Sequence, residues 1–215
     1  MGDRYLIKTN FRMVPGLCPP NCWSFICIER RFVMINIFVI GGTAGSGKST
    51  LGELLKKELD LIGKKPCIMH ITDPLYNYAK NYFNWDGDLK NKPREFLQEF
   101  GIDIIKNKLN KPNFLLNRLS EDIEILSNYF DTFIITDARL KSEFCSIKKK
   151  YNNVITIKVI RDNYDNGLTD KEKNHITEKD LENYNDFDYI INDASLNSLK
   201  NKAKEIVSLG GVSYE

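Results

Sequence analysis

The amino-acid sequence predicts an α/β fold of three layers, in which helices cover both faces of a five-stranded parallel sheet. From residue 35 onward, short runs rich in β-branched residues alternate with longer stretches of helical character. The short runs are mostly apolar, as expected for strands that are buried on both faces. A length of 215 residues favours a single domain, with room for a small insertion.

The predicted elements follow one another in regular alternation. Gly63 and Gly210 are predicted stop signals at the ends of helices. The predicted strands are 35–40, 66–71, 133–136, 154–160 and 189–191, and the predicted helices are 48–61, 74–82, 93–108, 113–129, 141–150 and 196–208.

A glycine-rich motif joins the first strand to the first helix. The sequence GTAGSGKS at residues 42–49 matches the phosphate-binding loop, or P-loop, in which backbone N–H groups and a helix N-terminus surround the phosphates of ATP. Lys48 is expected to reach the β- and γ-phosphates, and the Ser49 hydroxyl to coordinate magnesium. The predicted ATP-binding residues here are Gly42, Thr43, Ala44, Gly45, Ser46, Gly47, Lys48, Ser49 and Thr50.

A second candidate for the magnesium site follows the third predicted strand. Residues 133–136 form an apolar run that ends in Asp137, and a buried neighbouring strand delivers a carboxylate to the metal in this way. The same residue type at a strand end is also a common helix cap. Asp137 is therefore predicted as a catalytic, magnesium-side acid, with capping as the alternative.

Arginine is rare after Met34, although lysine is common. It occurs only at Arg94, Arg118, Arg139 and Arg161, and phosphoryl transfer uses guanidinium groups to hold phosphates in line. Arg139 and Arg161 stand at strand ends, where open α/β sheets bind ligands, and we predict that both are catalytic. Surface ion pairing is the alternative, and it is favoured for Arg118.

Two further features point to the acceptor side of the site. Asp73 follows the second strand and is predicted either to orient the acceptor phosphate or sugar, or to cap the next helix. Trp85 stands in an aromatic cluster that fits either a base-stacking wall or part of the core. The other members of this cluster are Tyr76, Tyr78, Tyr82 and Phe83.

Three segments depart from the simple alternation. Residues 73–129 form an all-helical block that we expect to bind the acceptor, with a helical cap as the alternative. The polar segment 162–186 resembles a lid over the phosphates, with a solvated loop as the alternative. Residues 1–33 show no periodicity before Met34, a natural start, so we expect an N-terminal extension followed by a catalytic domain at 34–215. Cys18, Cys22 and Cys27 offer only part of a zinc site.

The composition excludes several classes of function. Lys and Arg number 31 against 29 for Asp and Glu, so no strong positive field favours nucleic acid or an anionic membrane as a partner. No stretch approaches the roughly 20 apolar residues of a membrane-spanning helix. We expect a cytoplasmic protein, and the sequence leaves a homodimer open.

The order of motifs resembles the phage-type deoxynucleoside monophosphate kinases, a branch of the adenylate-kinase-like P-loop kinases, over residues 35–207. The similar stretches beyond the P-loop are Trp-Asp-Gly at 85–87, Arg-Glu-Phe-Leu-Gln-Glu-Phe-Gly at 94–101, Asp-Ala-Arg-Leu at 137–140 with Glu143, His-Ile-Thr-Glu at 175–178, and Phe-Asp-Tyr-Ile-Ile-Asn at 187–192 with Ser195 and Leu196.

The resemblance implies roles for particular residues. Arg94 and Gln98 would line the acceptor nucleotide site, Arg139 would contact phosphate, and Asn192 would lie near the donor adenine. His175 and Glu178 would either orient the lid or serve as a cap or surface pair. Thr177 replaces the usual Ser and Ile102-Asp103 replaces a common Thr, so base specificity stays open.

These features together predict a nucleoside monophosphate kinase that uses ATP and Mg²⁺ and transfers the γ-phosphoryl group directly to a nucleotide, such as a deoxynucleotide. One rival is the same machinery with another acceptor, such as phosphomevalonate or dephospho-coenzyme A. Another is a non-catalytic module that binds ATP and changes shape.

Overall fold

The computed structural model describes residues 35–88, 91–161 and 167–209, without the side chain of Lys171. Five strands form one parallel sheet in the order β2-β3-β1-β4-β5. Helices cover both faces of this sheet, so the predicted three-layer α/β class is confirmed. The strands are β1 (Asn36–Gly41), β2 (Pro66–Met69), β3 (Thr132–Ala138), β4 (Val154–Val159) and β5 (Tyr189–Ile191).

The first strand lies at the centre of the sheet. Ile37 is in register with Phe133 of β3 on one side and with Val154 of β4 on the other, and β1 is buried from Ile37 to its end. Because all strands are parallel, their carboxyl ends meet at one edge, which is where open α/β sheets bind ligands. The P-loop leaves β1 at the middle of that edge.

Eight α-helices and one π-helical stretch occur in the described residues. The π-helical stretch Glu99–Lys108 continues directly from α3. The α-helices are α1 (Lys48–Leu61), α2 (Asp73–Tyr82), α3 (Arg94–Gln98), α4 (Phe114–Leu126), α5 (Lys141–Lys150), α6 (Asp170–Lys173), α7 (Ile176–Lys179) and α8 (Leu196–Leu209).

The hydrophobic core has one part on each face of the sheet. Helices α1 and α8 pack together on one face, through residues such as Leu55 and Ile206. On the other face α4 and α5 contribute Ile123 and Phe144. Burying apolar side chains of this size from water is the main source of the stability of such a fold.

A third, smaller cluster holds the helical block between β2 and β3. Leu75, Leu97 and Ile105 are buried at its centre, from α2, α3 and the π-helical stretch. The rings of Phe96 and Phe100 stack with their centroids 5.3 Å apart. The helices of this block are therefore packed together beside the sheet edge at which the P-loop lies.

Close packing of α1 against the sheet explains one glycine. A Cβ atom on Gly52 would lie 2.4 Å from the Cγ2 atom of Thr136 in β3, which is too close for two non-bonded carbon atoms. The absence of a side chain at position 52 lets α1 approach the sheet and sets the position of its first residue, Lys48.

Several predicted boundaries need correction. The helix predicted at 93–108 is two elements, α3 and the π-helical stretch, and the apolar positions at every fourth residue do not distinguish the two helix types. The helix predicted at 113–129 ends at Leu126. The strand predicted at 133–136 runs on to Ala138, because its pairing with β1 continues, so Asp137 lies within the strand.

The polar segment predicted at 162–186 contains more structure than expected. It includes the short helices α6 and α7, and Leu181 is buried in the core. The Lys158 ammonium group donates to the backbone carbonyls of Leu181 and Tyr184, at 2.7 and 3.1 Å. A solvated loop therefore does not describe Glu178 and Leu181, which are buried, whereas Lys179, Glu182 and Asn183 are exposed. Residues 162–166 lie outside the described part.

Some expectations fall on residues outside the structure described. They concern the extension 1–33, Cys18, Cys22 and Cys27, and the stop signal at Gly210. Gly63 is confirmed as the stop after α1, with φ at +77°. Among the described residues, no helix is both long enough and apolar enough to cross a bilayer.

Candidate active site

The P-loop fits tightly against the end of β4. At Gly42, φ is +143°, and an added Cβ would lie 2.3 Å from the carbonyl oxygen of Val159. Gly47, which precedes α1, has φ of +103°. Positive φ values of this kind are readily adopted only by glycine. These two glycines allow the loop to curl, so that it presents backbone N–H groups at the N-terminus of α1.

Lys48 is the buried cation of this loop. Its ammonium group donates to the carbonyl oxygen of Thr43 at 2.5 Å. Burial is the main cause that lowers the pKa of Lys48 to about 7; the positive charges of Arg139, Lys92 and Arg94 act in the same direction, and Asp137 acts in the opposite direction. Burial thus disfavours the charged form of Lys48, and the negative charge of bound phosphate groups would favour it.

Asp137 is anchored to the loop between β2 and α2. Its Oδ1 atom accepts from the backbone N–H of Ile71 at 2.8 Å. Its Oδ2 atom accepts from the backbone N–H and the hydroxyl of Thr72, at 3.0 and 2.5 Å. The carboxylate thus fixes the backbone just before α2, a role similar to the capping that was the alternative for this residue. One lone pair of Oδ1 remains for another ligand.

One cavity brings together several predicted residues. Arg94 and Gln98 reach it from α3, and Asp137 and Arg139 reach it from the end of β3. Its walls combine apolar side chains with cations, a composition typical of a site for a small phosphorylated ligand. The cavity is lined by Thr72, Leu75, Tyr76, Lys92, Arg94, Leu97, Gln98, Gly101, Ile102, Leu115, Asp137, Arg139, Leu168 and Thr177.

An ion pair connects this cavity to the P-loop. The Arg139 guanidinium group pairs with one carboxylate oxygen of Glu178, in α7. The other oxygen of Glu178 accepts from the backbone N–H of Ala44 at 3.0 Å. Only 6% of the Glu178 side chain is exposed, so the surface-pair alternative for this residue is wrong.

A chain of hydrogen bonds links α7 to α3. The Gln98 amide donates to the hydroxyl of Thr177 at 3.3 Å, and this hydroxyl lies 2.9 Å from Nδ1 of His175. The backbone N–H of Thr177 also donates to Nδ1 of His175, so this nitrogen accepts. Burial lowers the pKa of His175, which agrees with a neutral ring that caps α7.

Glu143 supports the backbone of Arg139. Its Oε2 atom accepts from the backbone N–H groups of Arg139 at 2.7 Å and Leu140 at 3.0 Å. Burial raises the pKa of Glu143 to about 7, although these two hydrogen bonds act in the opposite direction. The bonds satisfy free N–H groups at the start of α5 and fix the chain where Arg139 leaves the sheet.

Two predicted acceptor residues lie outside the cavity. The Asp73 carboxylate turns to His70, accepting from its backbone N–H and pairing with its ring. This contact raises the pKa of His70. Trp85 packs against Tyr76 with ring centroids 5.6 Å apart, and Tyr76 rather than Trp85 lines the cavity. Trp85 is half-buried against Tyr76, whereas Tyr82 and Phe83 of the same aromatic cluster are exposed.

Two predicted donor-side residues lie around the P-loop. Arg161 follows β4 and is exposed, and its guanidinium group lies 3.5 Å from the carbonyl oxygen of Gly45. Asn192 follows β5 and is also exposed. In the same loop, Ala194 lies 3.7 Å from a Cβ atom placed on Gly47. The loop after β5 therefore borders the P-loop, as a donor-base site requires.

The oxygen ligands available near the P-loop suit a magnesium ion that is bound jointly by the protein and by phosphates. Ser49 is exposed at the start of α1, and Asp137 retains a lone pair near Lys48. Mg²⁺ usually takes one or two protein oxygens and completes its shell with phosphates and water. Among the described residues no cluster of three His, Cys, Asp or Glu side chains could hold a metal alone.

An unpartnered polar atom marks the P-loop as a ligand site. The Ser46 hydroxyl is buried without a hydrogen-bond partner in the described structure. Buried polar groups normally have partners, and a bound phosphate would provide one. Combined with the strand order, the cationic cavity and the buried Lys48, this loop places the protein in the class of P-loop kinases.

The particular family follows from the sequence. A profile of deoxynucleotide monophosphate kinases matches residues 69–203, which is more than half of the chain, and the chain belongs to this family. It is an ATP-dependent phosphotransferase that acts on a small nucleotide. The match begins after the P-loop, so the loop and the family profile are independent observations.

Solved structures of other kinases are similar at low identity. A sugar kinase from Janibacter is 13% identical, with a TM-score of 0.48, over 84% of this chain and 99% of that one. Shikimate kinase from Acinetobacter baumannii is 15% identical, with a TM-score of 0.46, over 82% and 92%. APS kinase from Mycobacterium tuberculosis is 13% identical, with a TM-score of 0.46, over 82% and 97%. No curated protein sequence matches the chain.

Sequence reasoning missed Lys92 and the contacts of Glu178. Lys92 lines the cavity, but it stands among many other lysines and nothing in its neighbourhood distinguishes it. Glu178 was named through the His-Ile-Thr-Glu stretch, but as a residue that orients the lid or forms a cap or surface pair. Its contacts with Ala44 and Arg139 join residues more than 35 positions apart, which no local pattern records.

Replacing Glu143 should separate its hydrogen-bonding role from its charge. We expect Glu143→Ala to lower the free energy of unfolding by about 2 kcal/mol, because two backbone N–H groups lose their acceptor. Glu143→Gln keeps an oxygen and should cost less than about 1 kcal/mol. Urea unfolding followed by circular dichroism measures both.

The control for this pair is Glu124→Ala on the exposed face of α4, which should stay within about 0.5 kcal/mol of the unaltered protein. Equal losses for Glu143→Ala and Glu143→Gln would show that the carboxylate does not act as the shared acceptor.

Proposed function

We propose that the protein transfers the γ-phosphoryl group of ATP directly to a deoxynucleoside monophosphate, with Mg²⁺ bound alongside the phosphates. The observation that carries this proposal is the position of Arg139. Its guanidinium group borders the cavity that contains Arg94 and Gln98, and it is joined through Glu178 to the P-loop. The donor phosphates at the P-loop and the acceptor phosphate in the cavity would therefore meet at Arg139.

The donor side consists of the P-loop, Arg161 and the loop after β5. Backbone N–H groups at the N-terminus of α1 favour the β-phosphate. Lys48 would leave the carbonyl oxygen of Thr43 and bind the β- and γ-phosphates. In our proposal, Arg161 holds the outer side of the phosphates and the loop at Asn192 receives the adenine.

The acceptor side consists of the cavity beside α3. Leu75, Leu97 and Tyr76 provide an apolar wall that suits a flat base. Arg94 and Lys92 provide positive charge for the acceptor phosphate. Gln98, whose amide is oriented by Thr177, offers its remaining polar groups to the base edge.

The reaction needs no covalent protein intermediate in this arrangement. An acceptor phosphate, with a second pKa of about 6, is already ionised near neutral pH, so its oxygen can attack without a general base. Lys48 and Arg139 would stabilise negative charge on the transferring group. Magnesium, held by Ser49 and Asp137, would neutralise charge shared by the β- and γ-phosphates.

A substrate panel tests this function directly. ADP release from ATP and Mg²⁺ should depend on a deoxynucleoside monophosphate, and kcat should fall by about 100-fold or more in Lys48→Ala, since Lys48 binds the transferring phosphates. The matched control is Lys57→Ala, an exposed lysine on the same helix, which should keep full activity.

The panel should include ribonucleotides, phosphomevalonate and dephospho-coenzyme A. Turnover with one of the last two alone would contradict a nucleotide acceptor. Binding of ATP without turnover for any acceptor would favour the non-catalytic module.

Binding of ATP should take up a proton at Lys48. At pH 8 a lysine with a pKa of about 7 is mostly neutral, and the phosphates favour its charged form, so uptake should approach about one proton per ATP. At pH 6 the lysine is already protonated and uptake should be small. Calorimetric titrations in two buffers of different ionisation enthalpy measure this difference.

The control for proton uptake is Lys48→Arg, because arginine stays charged throughout this range. This variant should bind ATP without uptake at pH 8. Equal uptake by the variant and the unaltered protein would assign the proton to another group.

A further inference from the structure

The short helix α7 is anchored on several sides. Thr177 bonds to Gln98 of the acceptor cavity. Asp180, just after α7, accepts from the backbone N–H of Lys141 at 2.6 Å, at the start of α5. Leu181 is buried in the core. A helix of four residues is not stable by itself, so these tertiary contacts determine where α7 lies.

Glu178 is the residue of α7 that points to the reaction centre. Its two carboxylate oxygens have different partners, the backbone N–H of Ala44 and the guanidinium group of Arg139. The first partner belongs to the donor loop and the second borders the acceptor cavity. One buried carboxylate thus contacts both halves of the site.

Asp137 does not provide the same support for Arg139. It lies close enough to raise the pKa of Arg139, but its oxygens accept hydrogen bonds from Ile71 and Thr72. In the described residues, the ion pair recorded for the Arg139 side chain is with Glu178. A guanidinium group has five N–H donors, so this pair leaves others free to bind phosphate.

We propose that Glu178 is a positioning residue, which holds the Arg139 guanidinium group against the P-loop so that it contacts the transferring phosphoryl group. This inference rests on the proposed function. An arginine side chain has many rotamers, and fixing one before substrates bind removes an entropic cost from the reaction. Glu178 itself need not touch either nucleotide.

Glu178→Gln tests the proposal with little change of shape. The glutamine oxygen can still accept from Ala44, but its amide cannot attract the guanidinium group. We expect kcat to fall by about 10- to 100-fold, as for small misplacements of catalytic groups, while the KM for ATP stays within about twofold. Glu182→Gln, an exposed glutamate four residues further on, should leave kcat unchanged.

A double-variant comparison distinguishes positioning from a structural role. If Glu178 acts through Arg139, then Glu178→Gln should cause no further loss of kcat in an Arg139→Ala background. The same loss in both backgrounds would overturn the proposal. So would a Glu178→Gln variant that keeps kcat within about twofold of the unaltered protein.

A readout without turnover separates this proposal from the proposed function. The guanidinium protons of Arg139, assigned in NMR spectra through Arg139→Lys, should exchange slowly in the unaltered protein and at least about tenfold faster in Glu178→Gln. Slow exchange in both would contradict the positioning role, whatever the substrate. Failure to phosphorylate any monophosphate, with slow exchange only in the unaltered protein, would overturn the proposed function and leave the contact supported.

Discussion

Burial of the Lys48 ammonium group among other cations is the electrostatic constraint on which the rest of the site depends. Arg139, Lys92 and Arg94 all oppose its charge, and Asp137 favours it. Such a cluster is costly without anions. In the described structure Asp137 is anchored to the loop after β2, and Glu178 pairs with Arg139. The phosphates of ATP and its acceptor would supply the remaining negative charge.

Most of the fold could be predicted because its signals are local. Strands buried on both faces are nearly continuous in apolar residues, and the bounds of α1 and α5 follow from helical periodicity. The π-helical stretch could not be predicted, since its apolar spacing suits an α-helix equally well. The packing of Leu181 into the core was hidden by the polar residues around it.

The candidate site was predictable where motif order carries the information. Arg94, Gln98 and Arg139 line one cavity, which the Arg139–Glu178 ion pair and the hydrogen bond from Ala44 to Glu178 connect to the P-loop. Asp73 and Trp85 stand close in sequence to that cavity, but their side chains turn to His70 and Tyr76. A sequence gives the position of a residue along the chain, whereas the direction of its side chain is decided by tertiary packing.

The most direct test of this account is binding of a bisubstrate compound, in which adenosine and a deoxynucleoside are joined through five phosphates. If the donor and acceptor sites meet at Arg139, one molecule of the compound should bind per chain and should displace both ATP and the monophosphate. It should bind at least about 100-fold more tightly than ATP, because linkage converts the second binding event into an intramolecular one. Binding no tighter than that of ATP, with no displacement of the monophosphate, would contradict adjacent sites.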